Sequence, residues 1–428
     1  MIRAGVATVD ITPPAGLPLS GFAARTLPAT GAHDPLTVRA LVVNDTAMVV
    51  VDVIGLHGEM SARIRRRCAL PEANVILSAL HNHGGPVSMA GRLTVETDEA
   101  YLQRLEDACV EAIDQAVAAR RPATLSVGLG SDPDIARNRR HPDGPVDRAL
   151  PLLRVRDGNG NMIALMTGYA CHPVVLGADN RLWTADYPHY VRRALEAACP
   201  GATALFVTGC VGDANTGHSA HASISLATNP DRSFAAAERI GEAIANAALE
   251  APEQPLGGDV TALEAQVDLP FERRETETPA ELATRWRDER KGADAAQVAL
   301  LDAWIHWAET VALQPTEPLP ARVSLLDWGG MPVIGLPGEI FAETALGLRA
   351  ACGDRVAFIA GFAEDNPGYI PPSGEYAFGG YEVDEAHRYY GQPASFAPGC
   401  AEALASACAG LLNNMQSDKG GQRSRQEP

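Results

Sequence analysis

Several short apolar runs each stop on a residue with metal or proton chemistry, and this pattern constrains the fold more than any other feature. Residues 47–51 (AMVVV) are apolar throughout, as a strand covered on both faces must be, and lead to Asp52. Residues 74–87, NVILSALHNHGGPV, run into His81 and His83 before a Gly-Gly-Pro turn. MIALMTGYACHP (162–173) ends on His172, ATALFVTGCVGDANTG (202–217) leads to Asp213, and the strand after the Gly329-Gly330 turn leads to Glu339. Buried strands interleaved with helical sequence imply an α/β fold, a mixed β-sheet core with flanking helices. In such sheets chemistry gathers where strand ends and the following loops converge.

The intervening sequence supports that architecture. Hairpin turns are expected at Asn44-Asp45, across Asp157-Gly158-Asn159-Gly160 and at Gly329-Gly330. Residues 98–119 space their apolar side chains as an amphipathic helix does, with acidic residues in the first turn. Helices are also expected over 58–68, over ADYPHYVRRALEAA from 185, after Glu339 and over 394–412; the arginines from Arg63 to Arg67 read as a solvated face. Residues 270–312 turn charged and helix-forming, an excursion that could cover the site. The organisation expected is one catalytic domain over 1–415 without internal repeats, and a disordered polar tail over 416–428.

Composition limits the function classes. The chain has 428 residues, 46% hydrophobic and 21% charged, as soluble globular proteins do, and a formal charge of −18 that would repel nucleic acid and anionic membranes. The start lacks a basic region followed by an apolar one, and no apolar run approaches the roughly 20 residues needed to span a bilayer. The eight cysteines form no CxxC pair. Reduced thiols and a cytoplasmic location are expected, with neither nucleic acid nor membrane as partner.

Alternation along a strand would turn His81 and His83 the same way, giving a metal half-site. Two imidazoles rarely hold a metal alone, so His172 and a carboxylate such as Glu339 are the natural additions. Asp52 is the weakest of these strand-end candidates, since Val53 and Ile54 could continue its strand.

NVILSALHNHGGP resembles the THTHSGP segment of the neutral/alkaline ceramidase family; GYACHP and GLPGEIF resemble its second histidine segment and its PGEF segment. YIPPSGEYAFGGYE, residues 369–382, follows the spacing of its Y-I-x-x-x-x-E-Y-x-x-x-x-Y-E segment. DITPP, the NR at 138–139 and DYPHY keep the family's order. The resemblance implies a zinc-dependent amide hydrolase with one ion held by His81, His172, Glu339 and Tyr369. It places His83 beside the metal, Arg139 on the substrate side with Arg140 as the neighbouring alternative, and Tyr381 at the oxyanion.

The family's GDVSPN segment, which carries its serine, stands here as GDANTG, so Asn215 takes the serine's place and Ser219 lies off register. Asparagine offers no nucleophile, which excludes a serine-dependent route. The expected reaction is hydrolysis of a carboxylic amide of a small soluble substrate by zinc-bound hydroxide. His83 or Asp213 would manage protons, Tyr381 and His83 would donate to the oxyanion, Arg139 would orient an anionic or polar group, and Asn215 would hydrogen-bond the substrate. The alternatives are an esterase or lactonase using the same site, and a non-catalytic metal-containing binding protein.

Overall fold

Every residue of the strands Thr46–Val51 and Val75–Ala79 is buried, because each is covered on both faces. The computed structural model describes residues 1–93, 96–219, 226 and 229–423. The largest sheet contains β1 (Arg3–Asp10), β2 (Thr37–Val43), β3 (Thr46–Val51), β4 (Val75–Ala79), β5 (Arg121–Gly130), β6 (Leu150–Asp157), β7 (Met162–Tyr169) and β8 (Thr203–Thr208). Their order is β8-β7-β6-β5-β1-β2-β3-β4, with Gln254–Leu256 added beside β5. The pairs β3–β4 and β7–β8 are parallel and the other neighbours antiparallel, so the sheet is mixed as expected.

A second sheet, β9 (Val260–Leu269), β10 (Leu319–Trp328), β11 (Met331–Gly335) and β12 (Phe358–Ala360), is ordered as numbered. The segment after β12 draws the two ends of the large sheet together. Thr208 Oγ1 donates to Leu80 O at 2.7 Å, Gly361 N to Thr208 O at 3.1 Å, and Ala79 N to Phe362 O at 3.1 Å. The carboxyl ends of β4 and β8 thus become neighbours although their strands lie at opposite ends of the order.

Helices α1 (Gly58–Arg67), α2 (Glu99–Ala118), α3 (Tyr187–Ala198) and α4 (Phe234–Leu249) flank the large sheet, with α2 against β1 and β2 and α3 against α4 and β8. The excursion is a helical pair, α5 (Pro279–Arg290) and α6 (Ala295–Glu309). Each begins with a capping box, Thr278 with Glu281 and Asp294 with Gln297, which satisfies otherwise unpaired backbone N–H groups. α7 (Ala342–Cys352) lies in the connection between β11 and β12, and α8 (Cys400–Arg423) packs on β9 and β10.

Three readings need correction. Among the arginines of α1, Arg65 is not a solvated residue: it is partly buried and pairs with the buried Glu364, while Arg63 and Arg67 reach Glu106 at 2.8 and 2.7 Å. The last helix starts at Cys400 rather than 394 and runs to Arg423 rather than 412; residues 424–428 lie outside the described residues. Helix α4 was not anticipated, although Ser233 caps it and its alanine-rich sequence favours helix. All eight cysteines are free thiols, and no described helix is long and apolar enough to cross a membrane.

Candidate metal centre

Four loops deliver the site. After β4, the chain turns sharply at His81, which adopts φ 64°, a left-handed conformation uncommon outside glycine. Backbone bonds from Leu80 N to Val51 O (2.7 Å) and from His81 N to Val53 O (2.9 Å) hold it there, and its ring stacks on Phe362 at 3.9 Å. This turn, rather than strand alternation, brings His81 and His83 together, with ring centroids 5.1 Å apart. His172 follows β7 and is anchored by His172 N donating to Ala214 O at 3.1 Å. Glu339 lies on a two-residue strand, Glu339–Ile340, paired in parallel with Tyr369–Ile370, so Glu339 stands directly opposite Tyr369.

The hydrogen bonds decide what the cluster can hold. His81 Nδ1 meets Ile54 O at 2.6 Å and His172 Nδ1 meets Val211 O at 3.0 Å. A carbonyl only accepts, so both rings carry their proton on Nδ1 and expose a lone pair at Nε2. These two Nε2 atoms face each other at 2.8 Å, and His83 Nε2 lies 3.4 Å from that of His81. Burial lowers the His81 imidazole to about 3 and pushes His83 and His172 well below the usual range, so protonation does not relieve the contact.

Glu339 Oε2 is buried without a hydrogen-bond partner, 3.7 Å from His81 Nε2 and 3.5 Å from His172 Nε2. Neutral imidazole is no ion-pair partner, and these distances are too long for good hydrogen bonds. Burial raises the Glu339 carboxyl to about 7, against hydrogen bonding by Tyr390, the charge of Arg139 and hydrogen bonding by Tyr369. Converging lone pairs and an orphaned carboxylate oxygen constitute a donor set suited to a divalent cation that takes nitrogen and oxygen ligands. The three histidines alone could hold a metal ion: His81 and His172 are buried, His83 is partly buried, and their ligand atoms lie within 4.8 Å of one another.

The remaining expected residues divide. Arg139 Nη2 donates to Tyr369 OH and to Gly212 O, both at 2.9 Å, and its Nε donates to Glu382 Oε1 at 2.9 Å. Burial opposes its charge, but Tyr369, Glu382 and Glu339 outweigh burial and hold the guanidinium above its ordinary value. Arg140 instead binds Glu375 and Glu382, so Arg139 is the arginine in contact with Tyr369. Both make salt bridges to protein carboxylates, Arg139 through its Nε. Tyr381 stands edge-on to Tyr369, with centroids 5.6 Å apart.

Asp213 and Asn215 are turned to other work. Asp213 Oδ1 accepts from Ala342 N at the start of α7, and Oδ2 from Asn138 Nδ2, both at 2.8 Å. Asn215 Oδ1 accepts from Gly217 N at 2.7 Å and His218 N at 3.1 Å, while Nδ2 donates to His218 O at 2.7 Å. It staples its own turn. Asp52 does not join the cluster: its carboxylate is taken by Arg192 and Thr37. Sequence reading missed Phe362, Tyr390, which donates to Glu339 Oε1, and Glu382 as the partner of Arg139. Only Glu382 carried a signal, the acid after Tyr381 in the Y-E pair.

Residues 2–222 match the neutral/alkaline non-lysosomal ceramidase family over its N-terminal part. The chain belongs to that family. Its relatives include neutral ceramidase of Drosophila melanogaster, 28% identical over 225 residues, covering 45% of this chain and 32% of that protein. Neutral ceramidase of Pseudomonas aeruginosa is 25% identical over 217 residues, 44% of this chain and 32% of the relative. The aligned stretch therefore spans about a third of these curated proteins.

The crystal structure of the Pseudomonas aeruginosa neutral ceramidase superposes with a TM-score of 0.75 at 19% identity, over 96% of this chain and 75% of that one. A ceramidase complexed with C2 gives 0.76 at 17%, over 97% and 75%. These likenesses show that the ceramidase fold extends through nearly all of this chain. The family match includes His81, His83, Arg139, His172, Asp213 and Asn215; Glu339, Tyr369 and Tyr381 lie beyond it and are joined to it by the geometry above.

Proposed function

We propose that this ceramidase-family chain hydrolyses a carboxylic amide at a mononuclear zinc site held by His81, His172, Glu339 and Tyr369, with His83 as the proton-handling neighbour. The supporting observation is the 2.8 Å approach of two Nε2 lone pairs, both fixed by carbonyls behind them, beside the unpartnered Glu339 Oε2. Zinc, when bound, supplies Lewis acidity that activates water and polarises a carbonyl.

The chain's own residues supply the rest. His83 differs from the other two histidines because its Nδ1 is buried without a partner, so no carbonyl fixes its tautomer. It is free to carry a proton on either nitrogen, as a general acid or base requires. Arg139 holds the Tyr369 hydroxyl at 2.9 Å, fixing the phenol opposite Glu339, and Tyr381 lines the same side as a donor for a developing oxyanion. Asn215 supplies no nucleophile, since both ends of its amide are committed to backbone.

A cavity of about 670 Å³ between α6 and the loop around Phe22 offers room for the non-reacting part of a substrate. Phe22 forms part of its wall and stands 4.8 Å from the His83 ring. The relatives are named for ceramide, a lipid amide, so the substrate panel must run from short soluble amides to long-chain ones. The test is metal analysis of purified protein together with paired amides and esters of increasing acyl length. Zinc at about one per chain with amide turnover supports the reading. Metal-free protein with full activity overturns it, and turnover of esters alone reassigns the bond.

A further inference from the structure

Tyr390 donates its hydroxyl proton to Glu339 Oε1, and both residues are buried. With that oxygen tied, the other, Oε2, is turned towards His81 and His172 Nε2. A carboxylate restrained this way cannot rotate Oε2 aside without breaking the Tyr390 bond, which is how outer hydrogen bonds orient metal ligands.

Tyr390 is itself held from both flanks by the helical pair. Two residues earlier, the Arg388 guanidinium lies over three indoles, 4.7 Å from the Trp304 centroid, 5.1 Å from Trp286 and 5.6 Å from Trp307, and it pairs with Glu275 at 3.4 Å. Stacking of this kind inside a desolvated cage fixes an arginine firmly. Two residues later, Gln392 O accepts from Trp307 Nε1 at 2.8 Å. On a third side Gly368, at φ 114°, lets its backbone pass against the Tyr390 ring, where an added Cβ would come within 3.1 Å.

We propose that Tyr390 is a positioning residue for Glu339, and that α5 and α6 set the metal affinity of the site through it. The helical pair then does more than cover the site. This inference rests on the metal reading above.

The experiment strips the full chain of metal and titrates it with zinc against a chromophoric chelator. Tyr390→Phe keeps the ring and deletes the hydroxyl; it should weaken zinc binding roughly 10- to 100-fold while the metal-free protein stays folded, its melting temperature lowered by no more than one lost hydrogen bond accounts for. Trp307→Phe removes one indole N–H and should weaken binding by about three- to tenfold, the effect of one hydrogen bond. Combining the two should add little to Tyr390→Phe alone, because both act along one path. Arg388→Lys reads the same path should Trp307→Phe not fold. A Tyr390→Phe protein that binds zinc like the unaltered chain overturns the inference and leaves the metal reading standing. Losses that multiply independently overturn the role of the helices, and an unaltered protein that binds no zinc overturns the metal reading and this inference together.

Discussion

Arg192 closes a bidentate ion pair on Asp52, Nη1 to Oδ1 at 2.7 Å and Nη2 to Oδ2 at 2.9 Å, with both side chains buried. Thr37 adds its N–H and hydroxyl to Oδ2 at 2.8 and 2.9 Å, so the carboxylate is saturated and acts as a strut between α3 and the end of β3. Asp52→Ala would strand a buried guanidinium whose Nε already lacks a partner. The expected loss is about 3–5 kcal/mol in urea unfolding, with metal content per folded molecule unchanged. A loss under about 1 kcal/mol would show that Arg192 finds solvent or another anion.

The three histidines should separate by role. His172→Ala removes one of two lone pairs fixed by carbonyls and should abolish zinc retention along with activity. His83→Ala should leave most of the bound metal in place and lower kcat by roughly 10²- to 10⁴-fold, the range for a lost general acid or base. Metal analysis and amide turnover on the same preparations decide it. Loss of metal from His83→Ala would make His83 a ligand.

What could be read from the sequence was chiefly local. Apolar runs and turn residues place β3, β4, β7 and β8, and each of the His81, His172 and Glu339 positions is visible at a strand end or just after one. What the sequence hides is the meeting of β4 and β8 through the 361–364 segment, because that contact is set by tertiary packing between two sheets. The same limit explains Asp52, indistinguishable along the chain from a site carboxylate until Arg192 arrives from 140 residues away. Tyr390 gave no signal, since its partner Glu339 lies in another segment and both depend on how α5 and α6 pack.

Asp213 should give the protein a measurable acid-side stability term. Burial raises its carboxyl to about 6, against hydrogen bonds such as that from Ala342 N, whereas in the unfolded chain it returns to about 4. Between these values the folded state holds a proton that the unfolded state has released, so stability falls as pH rises through this window and levels off above it. The difference between wild type and Asp213→Asn, which cannot ionise, should therefore shift by about 1–3 kcal/mol in favour of the variant between pH 4.5 and pH 7. Urea unfolding at both pH values measures it, and a difference that stays constant or moves the other way removes the buried-acid account.

Restoring the family's serine should not raise amide turnover by this chain. In Asn215→Ser one oxygen on a shorter side chain must stand in for two atoms, Oδ1 accepting from Gly217 N and His218 N and Nδ2 donating to His218 O, and it cannot occupy both positions, so at least one of those three bonds is lost. One missing hydrogen bond in a buried turn costs about 1–3 kcal/mol. The new hydroxyl would inherit the position of an amide folded back on its own turn, whose described hydrogen bonds all go to backbone and none to a base. The expected outcome is a lower melting temperature and amide turnover equal to or below that of the unaltered chain. A clear rise in kcat would mean that the serine route still operates on this scaffold, and that Asn215 marks a lost step rather than a rebuilt loop.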